Sequence, residues 1–194
     1  MQTAIILAGL QANGETSVVV PNKVRNHTSN MLKHLDIPLR SNSPLQLGIY
    51  GLSSPIAPFE IVVPGDISSA AFFIVAAALL PGSIISIDNL GVDSGRSLVL
   101  DVLTKMGAVI EITNKRLLNQ ELVATVNVSY VNTLSGVKIN QRELASGIDE
   151  LPILALAGAF CKGKFTVHGA SELRYKESDR LSLLVENFRN AGVS

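Results

Sequence analysis

The residues best equipped for chemistry in this 194-residue chain fall in four short strings. Lys176-Glu177-Ser178-Asp179-Arg180 sets two carboxylates between two cations, and Gly147-Ile148-Asp149-Glu150-Leu151-Pro152 carries an adjacent acidic pair. Asp66-Ile67-Ser68-Ser69 offers a carboxylate and two hydroxyls, and Arg25-Asn26-His27-Thr28 a cation beside an imidazole. A carboxyl can give and take a proton, a guanidinium fork matches a carboxylate, and a lysine neutralises an anion. Each string also has a plainer use. Lys-Glu-Ser-Asp-Arg is the composition of a solvated helix start, the commoner fate of such runs. Asp149 suits the N-cap of a helix starting at Glu150 with Pro152 in its first turn, and on residue type alone capping and catalysis are evenly matched there. Asp66 caps the helix that follows it, where Ser68 and Ser69 could also present hydroxyls to an anion. Arg25 reads as a surface cation ahead of a helix. Cys161 lies in an Ala-rich apolar stretch, which predicts a reduced, buried, structural thiol; as the single cysteine it has no partner for an intramolecular disulfide. His34 and His168 lack neighbours at ligand spacing, so the sequence predicts no metal and no organic cofactor.

Composition bounds what surrounds these strings. Sixteen Lys plus Arg balance sixteen Asp plus Glu, which excludes a field that would gather nucleic acid or an anionic membrane; an anion site must be local. Hydrophobic residues at 47% against 16% charged are too many for a disordered chain and suggest buried sheets or a missing partner surface. The longest strongly apolar run, Ala70 to Pro81, is too short to span a bilayer, and the N-terminus lacks the basic flank of a signal peptide. These features predict a soluble, cytoplasmic protein.

The elements that must carry the strings repeat three times. Each copy opens with an apolar, Ala-rich helix, then a Gly, then a short β-branched strand: Ala4 to Ala12, Gly14 and Thr16 to Val20; Ala70 to Leu80, Gly82 and Ile84 to Ile87; Leu151 to Phe160, Gly163 and Phe165 to His168. A second, amphipathic helix follows in each, at Asn26 to Leu35, Ser94 to Met106 and Ser178 to Asn190. Strands at Ala108 to Thr113, Val123 to Val131 and Val137 to Asn140 complete the middle copy, giving a unit of order βαβαββ. The predicted class is therefore α/β (α+β), with the Ala-rich helices buried centrally and the amphipathic ones more exposed. The chain opens inside a helix without a cap before Ala4 and closes where the middle copy continues into strands, so a piece of a longer chain is expected. The Pro/Ser-rich stretch Leu52 to Phe59 has the composition of a linker, which predicts a boundary between residues 1–59 and 60–194.

Together, Leu173 to Leu181, Gly147 to Pro152, Val63 to Ala70, Ala4 to Leu10 and Arg25 to Thr28 occur in an order and spacing that resembles the 5-enolpyruvylshikimate-3-phosphate synthase family, from end to end of the chain. The resemblance implies two domains of three βαβαββ units each, an inside-out, barrel-like arrangement around buried helices that is incomplete here. Residues 1–59 would be the tail of the first domain, and residues 60–194 most of two units of the second. It implies a transferase of the shikimate pathway and aromatic amino acid biosynthesis, moving the enolpyruvyl group of phosphoenolpyruvate to the 5-hydroxyl of shikimate 3-phosphate. Asp149 would accept the hydroxyl proton and Glu177 would protonate and deprotonate the methylene carbon. Lys176, Arg180 and Arg25 would hold the anionic substrates, so that Asp149 and residues 176–180 share one site. Val24 stands where a Ser or Thr is usual, and Asn26 replaces the usual Asp, which weakens the loop of Arg25 as a substrate contact. His27 would be a packing or hydrogen-bonding residue.

Two other readings compete. The UDP-N-acetylglucosamine enolpyruvyl transferases share fold and donor but use a loop cysteine, whereas Cys161 sits in an apolar helical region. Alternatively the isolated chain is a catalytically inert structural piece that self-associates, cut from a monomeric parent, because family segments on both flanks are missing.

Overall fold

The computed structural model describes residues 2–20, 26–43, 45–93, 95, 97–144 and 146–193, the side chain of Asn42 excepted. The chain divides into two compact units, residues 1–64 with 116–122 and residues 65–115 with 123–194.

In the first unit, α1 (Gln2–Gly9), β1 (Glu15–Val19), α2 (His27–His34), β2 (Leu39–Ser43) and β3 (Gln46–Tyr50) follow in order. The sheet runs β1-β3-β2, with β3 antiparallel to both neighbours. Ile6, Val18, Leu32, Leu47 and Ile49 form its core. Helix α1 can lie close on the sheet because Gly9 has no side chain: a Cβ there would come within 2.8 Å of both Thr16 and Ile49.

The second unit begins with α3 (Ile67–Leu79), β4 (Ile84–Gly91), α4 (Leu98–Lys105) and most of β5 (Val109–Leu118) and β6 (Glu121–Ser129), whose hairpin end, residues 116–122, is counted with the first unit. These strands form a sheet of order β4-β6-β5. Asn119 and Gln120, both at positive φ (50° and 64°), turn β5 back into β6 in the manner of a tight hairpin. Then come β7 (Lys138–Ile139), α5 (Gln141–Leu144), a 3-10 turn Ile148–Glu150, α6 (Leu151–Ala159), β8 (Thr166–Val167), a second 3-10 segment Ala170–Tyr175, and α7 (Arg180–Asn190). Strands β7 and β8 pair in parallel across α6. Gly65 and Leu90 make the same parallel pairing across α3, reduced to a single bridge. The strand-helix-parallel strand geometry thus occurs twice, as the sequence repeats require. The glycines expected to stop the Ala-rich helices, Gly82 and Gly163, lie at φ of 77° and 88°, where an L side chain is strained.

Burial departs from the sequence expectation in three places. Helix α3 buries Ile67, Ala71, Ile74, Val75 and Ala78 but exposes Phe72 and Phe73, and α6 exposes Leu156 and Phe160, so these helices are covered on one side rather than all round. Helix α4, expected among the more exposed, buries five of its eight residues because Leu98-Val99-Leu100 points apolar groups in every direction. Helix α7 follows the expectation of greater exposure: Leu181, Leu184 and Phe188 are half-buried, Leu181 against the core, and none is fully buried. Cys161 is free but only partly buried, just past the end of α6, its thiol 3.7 Å from the Gly163 carbonyl. No helix among the described residues is long and apolar enough to cross a membrane.

Candidate active site

The site lies within the second unit, where two chain turns 27 to 31 residues apart meet. One is the 3-10 turn Ile148–Glu150; helix α6 starts at Leu151 with Glu150 as its N-cap residue and Pro152 in its first turn. The capping position therefore falls one residue after Asp149, and the Asp149 carboxylate is turned to the second segment instead. There Lys176 Nζ lies 3.4 Å from Asp149 Oδ1, and Arg180 Nη1 lies 3.3 Å from the same oxygen. The other edge of the Arg180 fork holds Glu177: Nη2 is 2.7 Å and Nε 3.0 Å from Glu177 Oε1. One guanidinium thus bridges two carboxylates, and one carboxylate is shared by two cations. Glu172, one turn earlier, also reaches Lys176 at 3.5 Å.

Asp179 explains why α7 begins where it does. Its carboxylate accepts from the Ser182 backbone N–H at 3.0 Å and from the Ser182 hydroxyl, and it is paired with Arg174 at 2.8 Å. This cap sets the start of α7, so that Arg180 enters the first helical turn between Asp149 and Glu177, with Lys176 just ahead of it on Asp149. Electrostatics follow from these contacts. The Glu177 backbone N–H, and next the Arg180 guanidinium, hold the Glu177 carboxyl below the usual carboxylate range. The Ser182 backbone N–H, with its hydroxyl and Arg174, does the same for Asp179. Arg180 is held more firmly charged, chiefly by Glu177 and then by Asp149. Glu177 remains exposed, whereas Lys176 and Arg180 are under one-third exposed.

Because both carboxyls ionise more readily folded than unfolded, their stabilisation is complete above the ordinary values of 4.5 and 3.8, and is lost as pH falls through the lower folded values. The thermal midpoint should fall with pH below that range, and the fall should be shallower in Asp179→Asn. Identical pH profiles for the two proteins would show that the Asp179 cap carries none of the dependence.

The other sequence candidates divide. Asp66 is the N-cap of α3, accepting from the Ser68 N–H at 3.3 Å and the Ser69 hydroxyl at 3.2 Å. The Ser68 hydroxyl instead donates to Glu150. Both serine hydroxyls therefore already serve internal acceptors, which favours capping over anion binding. His27 Nδ1 lies at hydrogen-bonding distance, 2.9 Å, from Glu121 Oε1. Arg25 and Val24 lie outside the described residues. Among the described residues no group of three His, Cys, Asp or Glu side chains could hold a metal ion. The residue that sequence reasoning missed is Glu150, read there only as a helix start and found 3% exposed. An acidic residue flanked by Leu151 and followed by an all-apolar helix was the available signal.

The sequence profile of the family described as EPSP synthase (3-phosphoshikimate 1-carboxyvinyltransferase) matches residues 1–194. The chain belongs to the EPSP synthase family. A 3-phosphoshikimate 1-carboxyvinyltransferase from Petrotoga mobilis is 42% identical over 193 residues, covering all of this chain and 44% of the relative. One from Legionella pneumophila strain Corby is 38% identical over 195 residues with the same coverage. The chain thus spans less than half the length of these family members. An EPSP synthase structure from Acinetobacter baumannii superposes with a TM-score of 0.87 at 35% identity, over 95% of this chain and 41% of that one. The enolpyruvyl transferase NikO from Streptomyces tendae shares the fold, with a TM-score of 0.66 at 20% identity over 83% of this chain and 38% of that one. The α/β class read from the repeats is therefore that of the EPSP synthase and enolpyruvyl transferase folds, present in part.

Proposed function

We propose that this chain is the central part of an enzyme that transfers the enolpyruvyl group of phosphoenolpyruvate to the 5-hydroxyl of shikimate 3-phosphate. Residues 1–59 are then the tail of one domain and residues 60–194 most of two repeat units of the other. The observation that carries the reading is the Arg180 guanidinium bridging Asp149 and Glu177, with Lys176 on Asp149, in a chain of this family.

In the addition step the hydroxyl oxygen bonds to the central carbon of the enolpyruvyl group. Its proton passes to Asp149, and the methylene carbon takes a proton from Glu177. In the elimination step that carbon returns a proton to Glu177, the carbon–oxygen bond to phosphate breaks, and the proton held by Asp149 leaves with the departing phosphate, directly or through solvent, which restores Asp149 and releases inorganic phosphate. Lys176 and Arg180 hold anionic groups that would otherwise repel the two carboxylates. The ion pairs of Arg180 support an order of events in binding. Glu177 with its depressed titration is a carboxylate, unsuited to donating a proton near neutral pH. A donor carboxylate entering the Arg180 fork displaces Glu177, removes one cause of that depression and frees the group to carry a proton.

The test is phosphate release by a full-length protein carrying this segment, supplied with phosphoenolpyruvate and either acceptor. Release with shikimate 3-phosphate and none with UDP-N-acetylglucosamine is expected. The opposite preference would move the protein to the other branch, and release with neither would remove the enzymatic reading.

A further inference from the structure

Resting on that reading of the site, we propose that Glu150 is a positioning residue for Asp149, acting through a buried carboxyl–hydroxyl link to Ser68 at the start of α3. Glu150 is 3% exposed and its Oε1 accepts from the Ser68 hydroxyl, 82 residues away in sequence. Its Oε2 has no hydrogen-bond partner among the described residues. That oxygen is packed against Gly147: a Cβ on Gly147 would lie 2.5 Å from Oε2 and 2.6 Å from the Leu98 Cβ. The turn closes so tightly that the Glu150 N–H reaches the Gly147 carbonyl at 3.2 Å.

A buried carboxyl with one oxygen unpartnered is unfavourable, and a well-packed apolar side chain of similar size is commonly at least as stable at such a place. Stability therefore does not account for Glu150. What the link supplies is register. The 3-10 turn that carries Asp149 has no side-chain cap of its own. Glu150 pins it on one side to a 13-residue core helix, while the adjacent Asp149 faces Lys176 and Arg180 on the other. Two ties on successive residues leave the Asp149 carboxylate little freedom to swing. Proton transfer from a bound hydroxyl is sensitive to that freedom, since a displacement near 1 Å can cost about 100-fold in rate.

The experiment compares Ser68→Ala, Glu150→Leu, Glu150→Gln and the Ser68→Ala/Glu150→Leu pair in a full-length protein carrying this segment. It reads kcat and KM by phosphate release, the thermal midpoint, and amide exchange at residues 147–151. Expected are a kcat lower by about 10- to 100-fold in Ser68→Ala and Glu150→Leu at nearly unchanged KM, and no further loss in the pair. Glu150→Gln, which keeps an acceptor for Ser68, should recover most of the rate. Amides of the turn should exchange roughly 10-fold faster in the first two variants. Wild-type kcat in folded Glu150→Leu with only a shifted midpoint would overturn the proposal. If that variant does not fold, wild-type kcat in Ser68→Ala overturns it. Absence of phosphate release by the unsubstituted protein would sink the assigned reaction instead, and turn exchange alone would then decide the link, unchanged exchange refuting it.

Discussion

Glu177→Gln, placed in a full-length protein carrying this segment, should lower kcat by about 100- to 10,000-fold while leaving the KM for shikimate 3-phosphate within a few-fold of normal. Proton transfer by a positioned side chain typically contributes that much to a rate, and an amide of the same shape cannot supply it. The shape itself survives: Gln retains an oxygen to accept from Arg180 Nη2 and Nε, now 2.7 and 3.0 Å from Glu177 Oε1, so Arg180 stays oriented. Lys176→Met is the contrasting variant. Lys176 touches Asp149 directly at 3.4 Å, and its removal takes a cation from the proposed binding site as well as a partner from Asp149, so KM should rise and kcat fall together. Steady-state phosphate release with each substrate varied in turn separates the two patterns. Near-normal turnover in the Gln variant would return Glu177 to the role of a solvated charge at a helix start.

The 194-residue chain by itself should show no detectable phosphate release even with both substrates at millimolar concentration. Its carboxyls are assembled, with Lys176 and Arg180 as the two cations that touch Asp149. A dianionic phosphate and a donor carboxylate together need more positive groups than these two. Holding two reactants in attack geometry is worth an effective molarity of about 10⁵ to 10⁸ M, so losing part of the clamp removes most of the acceleration. The same chain should self-associate, because Phe72, Phe73, Leu80 and Phe160 stand exposed on helices whose composition suits burial. Light scattering alongside the phosphate assay tests both statements. Turnover near that of an ordinary complete enzyme would show that the 194 residues suffice, and a strictly monomeric chain would show that this apolar surface tolerates water.

Local chemistry was legible in the sequence. Gly82 and Gly163 marked the turns that follow the Ala-rich helices, which end at Leu79 and Ala159, because only a residue without Cβ enters the left-handed region cheaply. Asp66 announced the start of α3, because a short carboxylate can meet the first free N–H groups of a helix. The repeated helix-Gly-strand order made the α/β class readable, and the strings around Asp149 and Lys176 to Arg180 carried the family resemblance. Which side of each element meets the core was decided only by the tertiary structure. An all-apolar helix such as α6 has no face that its own sequence singles out, and α7 has a regular apolar face that is only half-buried. Asp149 was equally suited to cap a helix or to serve a site until the packing of α6 set the helix start at Leu151 and turned its carboxylate to Lys176 and Arg180. Glu150, adjacent and of the same chemistry, went to the opposite side and into the core, where Ser68 meets it across 82 residues. Such pairings are long-range: residue type states what each partner can do, but only the folded backbone determines which partners come within reach.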